Sequence, residues 1–360
     1  MINFFNIPKQ DKLVEKKIIN SFKKNIKNSN FILGKEVKSF ENKFSNFTNS
    51  KYSVSCANGT DSIYLALKSL NLPANSEVIV PAMTWISTAL SVVNCGLKPV
   101  LVDIEKNSPL ISLSEILKKI TPKTKVIIPV HLYGSIFFTK KLREKINKKI
   151  FIIEDSAQAH GGKYEDGKKI GKYSDMTCYS FYPSKNLGCY GDGGLITTNN
   201  QNLYWKLIKL RNLGSYSKHK FDLIGLNSRL DAIQASILKI KIKRLNFMNL
   251  KRKIISKIYN KEINNKNFLK LNYSKFAVFH QYVILTKKRK KLLKLLKKNN
   301  IEYGLHYPIS INNIKCFNKY FKNQKFYYAE KLAKCCISLP IDPLLKLSSV
   351  KKICKVLNKF

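Results

Sequence analysis

The sequence lacks any long run of uncharged apolar residues. A helix that crosses a lipid bilayer needs about 20 predominantly apolar residues, and the runs in this chain fall well short of that. The first residues, Met1 to Asp11, also lack the positive head, apolar stretch and small-residue cleavage site of a secretory signal. We therefore expect no membrane span and no export, and the cytoplasm is the expected location.

Closely spaced cysteines are also scarce. The chain has eight cysteines, which are scattered apart from the adjacent Cys335 and Cys336, and no Cys-x-x-Cys spacing occurs. Paired cysteines at that spacing are the usual signature of a zinc site, so no metal is expected. A chain of 360 residues can build a core without a disulfide framework. Free, buried thiols are the expected state.

Acidic residues are few. The chain has 22 Asp and Glu against 66 Lys and Arg, which gives a formal net charge of +44. This excess would suit a nucleic-acid binder, but the lysines are spread along the whole chain and no recognisable nucleic-acid-binding motif is present. We interpret the charge as compositional bias and do not expect nucleic acid as a partner. The charge would still raise the local concentration of an anionic substrate.

Short apolar strands alternate with helices through the first part of the chain. The strands show no polar alternation, which is typical of a mostly parallel sheet buried on both faces. The pattern therefore predicts an α/β doubly wound fold. Strands are predicted at 52–56, 78–81, 100–103, 126–130 and 150–153. Helices are predicted at 12–27, 62–70 and 86–94.

The pattern changes after about residue 230. Leu230, Ile233 and Ile237 recur at helical spacing and begin a long Lys-rich helix. A strand at 282–285 and a basic amphipathic helix at 292–298 follow. We predict a large domain over residues 1–235 and a smaller α/β domain over 236–360, joined by the long helix.

One lysine stands apart from the many others. Lys185 lies in the uncharged, largely apolar and aromatic run CYSFYPSKNLG at 178–188. Desolvation lowers the pKa of an amine and makes it nucleophilic towards a carbonyl. A lysine in an apolar run can also simply extend its amine to the surface. The motif around Lys185 favours the reactive amine.

Three further signals lie at predicted strand ends, where open α/β sheets bind their ligands. Asp155, in IIEDSAQAHG at 152–161, follows a buried strand; it could face a ligand cation or cap the next helix. The NGTD turn at 58–61 precedes a helix, where it could bind an anion or act as an ordinary cap. The glycine-dense GDGG turn at 191–194 leads into another strand.

These segments together resemble the DegT/DnrJ/EryC1/StrS family of sugar aminotransferases, which have the type I fold of pyridoxal-5'-phosphate (PLP) enzymes. The resemblance covers almost the whole chain. Besides the segments above, it includes FILGKEV at 31–37, PAMTW at 81–85, PVHLYG at 129–134, GLNSRLD at 225–231, IQA at 233–235 and HYP at 306–308.

The resemblance implies a set of coenzyme-binding residues. Lys185 would form the Schiff base and shuttle a proton, and Asp155 would pair with the ring nitrogen. The other implied roles are Gln158 near the phenolic oxygen, Trp85 on the ring face, and Gly59, Thr60 and Ser180 on the phosphate. Asn227 would reach the phosphate of a neighbouring subunit, which implies a homodimer with shared active sites.

The resemblance also implies the substrates. L-Glutamate would donate the amino group, and a nucleotide-linked keto-sugar, a dTDP- or UDP-3-keto sugar, would accept it for amino-sugar and surface-polysaccharide synthesis such as that of O-antigen. Residues expected to meet the sugar or its diphosphate are His160, Tyr182, Arg229, His306 and Tyr307. His131 is expected to support the core. The loop at 211–220 departs from the family pattern, because His219 replaces the usual aromatic after Lys218.

Three alternatives stay open. Relatives that act on 4-keto sugars share most of these segments. Sugar dehydratases of the same family carry His at the Schiff-base position, where this sequence has Lys185. A basic nucleic-acid-binding or regulatory protein on the same fold would be favoured if Lys185, Asp155 or Gln158 were absent, and all three are present.

Overall fold

The computed structural model of the protein describes residues 1–217 and 219–360. The strands are β1 Tyr52–Cys56, β2 Glu77–Pro81, β3 Lys98–Val102, β4 Thr124–Ile127, β5 Phe151–Asp155, β6 Met176–Ser180, β7 Gly194–Thr198, β8 Ser215–Ser217, β9 Lys220–Phe221, β10 Leu269–Lys270, β11 Tyr282–Leu285 and β12 Cys336–Leu339. The helices are α1 Ile7–Asp11, α2 Glu15–Lys27, α3 Gly34–Thr48, α4 Gly59–Ser69, α5 Ser87–Asn94, α6 Leu113–Lys119, α7 Thr139–Arg143, α8 Gln201–Leu210, α9 Ala232–Lys241, α10 Leu245–Glu262, α11 Arg289–Lys298, α12 Asn318–Phe321, α13 Tyr327–Cys335 and α14 Leu347–Asn358.

A seven-stranded sheet forms the centre of the molecule, with the strand order β1-β7-β6-β5-β4-β2-β3. Strands β3, β2, β4, β5 and β6 pair in parallel, whereas β7 is antiparallel to both β6 and β1. The predicted mostly parallel α/β sheet is therefore confirmed. Because β2, β4, β5 and β6 run in the same direction, the segments that follow them meet at one edge of the sheet.

Two predicted elements differ at their ends for local reasons. The helix predicted from residue 62 begins at Gly59, because Asn58 caps it by accepting a hydrogen bond from the backbone N–H of Asp61 at 2.8 Å. The strand predicted to reach residue 130 ends at Ile127, where Pro129 has no N–H to continue the ladder.

The helices at either end of the first part also differ from the prediction. The helix predicted over 12–27 begins three residues later, as α2 from Glu15, and the separate short helix α1 ends just before it at Asp11. The long Lys-rich helix is α9 and α10, which are separated by a turn of 3-10 helix at Ile242–Arg244. Beyond α10, the antiparallel sheet β10-β11-β12 confirms the predicted strand at 282–285.

The first residues of the chain pack against its C-terminal part. Ile2 forms a parallel bridge with Ile301, and the backbone N–H of Phe4 donates to Glu302 Oε2 at 2.7 Å. The largest cluster of buried apolar side chains extends from Val54 in β1 to Cys336 in β12. The division into domains 1–235 and 236–360 stays a prediction.

All eight cysteines are free, and five of them are buried. Across residues 1–217 and 219–360, no helix has the length and apolar character needed to cross a bilayer.

Candidate active site

A cavity of about 480 Å³ opens at the carboxyl edge of the large sheet, where the sequence analysis places the ligand. Most of its wall comes from the segments after β1, β2, β5 and β6, and the rest comes from the C-terminal part. It brings together ten of the predicted site residues: Gly59, Thr60, Trp85, Asp155, Gln158, Ser180, Tyr182, Lys185, His306 and Tyr307.

Lys185 lies in the wall of the cavity, five residues beyond the end of β6. A turn holds its backbone, because its N–H donates to the carbonyl oxygen of Tyr182 at 2.8 Å. Burial lowers the pKa of the Lys185 amine to about 8, and the negative charge of Asp155 opposes part of that shift. About a tenth of this amine is therefore unprotonated and nucleophilic at pH 7, far more than for an ordinary lysine.

Asp155 is the last residue of β5 and is buried, at 6% exposure. Its Oδ2 accepts a hydrogen bond from Thr88 Oγ1 at 2.8 Å, and its Oδ1 accepts one from the backbone N–H of Ala157 at 3.1 Å. These two bonds orient the carboxylate in the cavity wall. Sequence reasoning missed Thr88, whose only signal was its place one helical turn after Trp85.

The turn at 58–61 forms the N-terminus of α4, an eleven-residue helix. Backbone N–H groups at such an end favour a bound anion. A Cβ atom at Gly59 would lie 2.6 Å from Ser180 Cβ, so only glycine allows this close approach. Thr60 Oγ1 lies 2.7 Å from Ser87 Oγ, so two hydroxyl groups lie together beside the turn.

Gln158 links the two parts of the chain across the cavity. Its Oε1 accepts from the backbone N–H of Tyr133 at 2.6 Å, and its Nε2 donates to Tyr307 Oη at 2.9 Å. Tyr133 in turn donates its hydroxyl to the carbonyl oxygen of His306. The Trp85 ring centroid lies 5.1 Å from that of Tyr307. The positions of these aromatic rings are therefore fixed by contacts from both parts.

Two histidines in the cavity wall are uncharged. Burial, followed by the charge of Lys185, lowers the pKa of His306 to about 4, and the same causes lower the pKa of His280 well below its ordinary value. His306 Nδ1 pairs with Ser338 Oγ at 2.8 Å, and His280 Nδ1 pairs with Asn186 Oδ1 at 3.1 Å. Sequence reasoning missed His280, which lies two residues before a predicted strand and carries no other signal.

His160 does not line the cavity. It is fully buried and packs against Tyr179 and Phe181, with ring centroids 5.6 Å apart in both cases. The Tyr179 side chain projects from the face of β6 opposite to that of Ser180. Burial, followed by the charge of Lys185, lowers the pKa of His160 to about 3. A contact between His160 and substrate remains a prediction, and its position favours support of β6.

Asn227 and Arg229 lie on a surface segment and not in the cavity wall of their own chain. The backbone of Asn227 bridges to Asn212, and the Arg229 guanidinium donates to Asn212 Oδ1 at 3.2 Å. In the loop at 211–220, Lys218 lies outside the described residues. His131 is fully buried, with Nε2 at 3.3 Å from Glu154 Oε1, and its predicted place in the core is confirmed.

Comparison with known proteins identifies the family. The model of the DegT/DnrJ/EryC1/StrS aminotransferase family matches residues 12–358. This chain belongs to that family. The structure of DesV from S. venezuelae in complex with a ketimine intermediate superimposes with a TM-score of 0.96 at 30% sequence identity, covering 99% of this chain and 98% of that one.

Three curated relatives of this aminotransferase align with it over most of their length, one named as a regulatory protein and two as sugar-nucleotide aminotransferases. A "Pleiotropic regulatory protein" of Geobacillus stearothermophilus is 37% identical over 89% of this chain and 88% of its own length. The dTDP-3-amino-3,6-dideoxy-alpha-D-galactopyranose transaminase of Aneurinibacillus thermoaerophilus is 36% identical over 100% and 99%. The UDP-2-acetamido-2-deoxy-3-oxo-D-glucuronate aminotransferase of Pseudomonas aeruginosa is 33% identical over 99% and 100%.

The cavity of this aminotransferase fits PLP, the coenzyme of its family. Gly59 and Thr60 line the cavity beside Ser180 at the N-terminus of α4, which suits a phosphate group. The buried Asp155 carboxylate needs a cationic partner, and a protonated ring nitrogen is one. Lys185 provides an amine of lowered pKa in the same cavity.

The close approach of Gly59 to Ser180 gives a direct test of whether the turn at 58–61, the phosphate turn, binds the phosphate of PLP. In a helix, Gly→Ala stabilises by about 1 kcal/mol when there is space for the methyl group. In Gly59→Ala the new methyl would instead overlap Ser180, and we expect the dissociation constant for PLP to rise about tenfold or more. Fluorescence titration of the apo-protein measures this constant. An unchanged constant would show that the turn does not hold the phosphate.

Proposed function

We propose that this aminotransferase moves the amino group of L-glutamate to C3 of a nucleotide-linked 3-keto sugar. The observation that carries the proposal is the single cavity in which an amine of lowered pKa, a buried carboxylate and an anion-binding turn meet. Two relatives that align over nearly their whole length support the sugar class, because both are named for a 3-amino or 3-oxo sugar nucleotide. The product would serve surface-polysaccharide synthesis, such as that of O-antigen.

The position of each side chain supports its proposed coenzyme role. Asp155 would hold the ring nitrogen, because Thr88 and Ala157 already fix its carboxylate in the wall. The remaining roles are Gln158 at the phenolic oxygen, Trp85 on the ring face, and Gly59, Thr60 and Ser180 at the phosphate. When bound, the coenzyme supplies an aldehyde for amine exchange and a ring that accepts electrons.

Lys185 would do the acid–base work. With a pKa of about 8, its Nζ can both accept and return a proton near neutral pH. Asp155 would keep its negative charge against the ring and so stabilise charge that develops in the reaction. His280 and His306 are uncharged, so they can position hydroxyl groups of the sugar without competing with Lys185 for protons.

The substrate would enter from the open side of the cavity. Tyr182 is exposed there, and His306 and Tyr307 line the wall from the C-terminal part. The net charge of +44 would attract a nucleoside diphosphate. Arg229 would bind that diphosphate, because its planar guanidinium matches pairs of phosphate oxygens. We propose that Arg229 and Asn227 act on the cavity of a partner subunit, in a homodimer with shared sites.

A panel assay tests the sugar class. Purified holoenzyme is incubated with L-glutamate and, separately, with dTDP- and UDP-linked 3-keto and 4-keto sugars. The expected result is a mass shift from keto to amino in 3-keto substrates only, with 2-oxoglutarate formed in equal amount. Amination of 4-keto sugars alone would overturn the C3 assignment. No amination of any sugar nucleotide would favour the regulatory role that one relative's name suggests.

The lowered pKa of Lys185 predicts how coenzyme attachment depends on pH. Only the unprotonated amine attacks a carbonyl. Because burial lowers the pKa of Lys185 to about 8, the rate of attachment to apo-protein should rise about tenfold per pH unit below that value and level off above it. Stopped-flow absorbance at a series of pH values measures this rate. A midpoint near the ordinary value of 10.5 would contradict a buried reactive amine.

A further inference from the structure

Ser228 connects the turn at 58–61 to Asn227. In the proposed function the turn holds the phosphate of its own subunit, whereas Asn227 serves the site of the partner subunit. Unlike Asn227 and Arg229 on either side, Ser228 is fully buried. Its hydroxyl donates to Asp61 Oδ2 at 2.6 Å and accepts from the backbone N–H of Ala57 at 3.1 Å. Ala57 directly precedes the turn at 58–61, and Asp61 is its last residue. One buried hydroxyl therefore joins this turn to the surface segment 226–229.

The hydrogen bond from Ser228 also orients the carboxylate of Asp61. This carboxylate lies in the first turn of α4, beside the helix N-terminus that would bind the phosphate. The bond from Ser228 turns Asp61 Oδ2 towards segment 226–229. At the same time, the Asp61 N–H donates to Asn58 Oδ1 at 2.8 Å and closes the turn. Loss of the hydroxyl would release the carboxylate and leave the Ala57 N–H unpaired.

A buried network makes this connection rigid. The N–H of Ser228 donates to the carbonyl oxygen of Arg211 at 2.9 Å. The Arg211 guanidinium binds the Glu41 carboxylate and donates to the carbonyl oxygen of Ser55 in β1 at 2.9 Å. Glu41 Oε1 also accepts from the Ser55 N–H at 2.9 Å. Since these groups are buried and satisfied, they hold segment 226–229 and β1 in fixed relative positions.

We infer that Ser228 is a positioning residue for two coenzyme sites at once. It holds the phosphate turn of its own subunit, and it holds Asn227 where that side chain serves the site of the partner subunit. The inference rests on the proposed shared sites. It goes beyond them because it assigns to one hydroxyl the positioning of both the turn at 58–61 and Asn227.

Two heterodimers separate these effects, each with one Lys185→Ala chain so that only one site can bind coenzyme covalently. In the first, Ser228→Ala lies on the chain that keeps Lys185, so the turn of the remaining site is altered. In the second, Ser228→Ala lies on the Lys185→Ala chain, so the segment that serves the remaining site is altered. Differently tagged chains allow each heterodimer to be purified. Borohydride trapping after timed dialysis then counts the coenzyme still attached.

Both heterodimers should release coenzyme about tenfold faster than the matched heterodimer with intact Ser228. Faster release in only one of them, or in neither, would overturn the inference, because a purely local structural role affects only one site. The readout is coenzyme retention and does not depend on turnover.

A second pair of variants keeps the test valid if Ser228→Ala does not fold. Asp61 is only partly buried, so its replacement disturbs the core less. Asp61→Ala removes the acceptor of the Ser228 hydroxyl, whereas Asp61→Asn keeps an acceptor oxygen. Asp61→Ala should accelerate release in both arrangements, and Asp61→Asn should stay within about twofold of the intact heterodimer. Equal acceleration by the two variants would show that the bond to Ser228 is not responsible.

Asn227→Ala distinguishes failure of the inference from failure of the proposed function. It is placed on the Lys185→Ala chain, opposite a normal site. If it leaves release unchanged, or if no heterodimer forms, the shared-site proposal fails and the inference fails with it. If it accelerates release while Ser228→Ala in the same place does not, the shared sites stand and only the role of Ser228 is overturned.

Discussion

Lys185→Ala should abolish transamination while the protein stays folded. The variant removes both the amine that would hold the coenzyme and the group that would move the proton, so the turnover rate should fall about 10³-fold or more. The fold should tolerate the change, because burial already disfavours the charged amine, as its pKa of about 8 shows. Steady-state assays and circular dichroism measure the two parts of this prediction.

Lys172→Ala is the matched control, because Lys172 is an exposed lysine on the loop before β6. It should keep normal activity and normal coenzyme labelling. Borohydride reduction followed by peptide mapping should place the label on the peptide that contains Lys185 and on no other lysine peptide. Normal turnover by Lys185→Ala, or a label on another lysine, would refute the assignment.

Asp155→Asn should lower the turnover rate about 10²- to 10³-fold, the range seen when one charge-stabilising group is removed. The substitution keeps the shape of the side chain. Its carbonyl oxygen can accept from the Ala157 N–H, and its NH2 group can donate to the Thr88 hydroxyl, which in Asp155 donates to the carboxylate. It removes the negative charge that would hold a protonated ring nitrogen. The pH dependence of the coenzyme absorbance should therefore differ between Asp155→Asn and the unaltered protein.

Asp103→Asn provides the comparison for Asp155→Asn. Asp103 also follows a parallel strand, β3, but its carboxylate accepts from the backbone N–H groups of Tyr328 and Ala329 at the start of α13. This is a capping role, so Asp103→Asn should change stability and leave the turnover rate and the absorbance spectrum unaltered. Equal losses of activity in both variants would show that the Asp155 effect is structural.

The sheet and the central site residues could be predicted because their signals are local. Buried strands without polar alternation indicated the parallel sheet, and an uncharged run marked Lys185. Asp155 and the turn at 58–61 were found because ligands of such sheets bind beyond strand ends. Each of these signals lies within a few residues of the position that it identifies.

Other features could not be predicted because they depend on contacts between distant segments. Thr88 binds Asp155 across 67 residues, and Ser228 binds Asp61 across 167. Nothing near either hydroxyl in the sequence marks its partner. The environment of His160 was equally hidden, because which face of β6 it packs against is decided by the fold and not by the segment that contains it.

The contacts of the first residues affect the order in which the molecule can be completed during synthesis. Phe4 donates to Glu302, 298 residues later, and its ring lies 5.8 Å from that of His306 in the cavity wall. A ribosome makes the N-terminus first, so Ile2 and Phe4 must wait for nearly the entire polypeptide before their partners exist. Until then the edge of the cavity around His306 lacks its Phe4 contact.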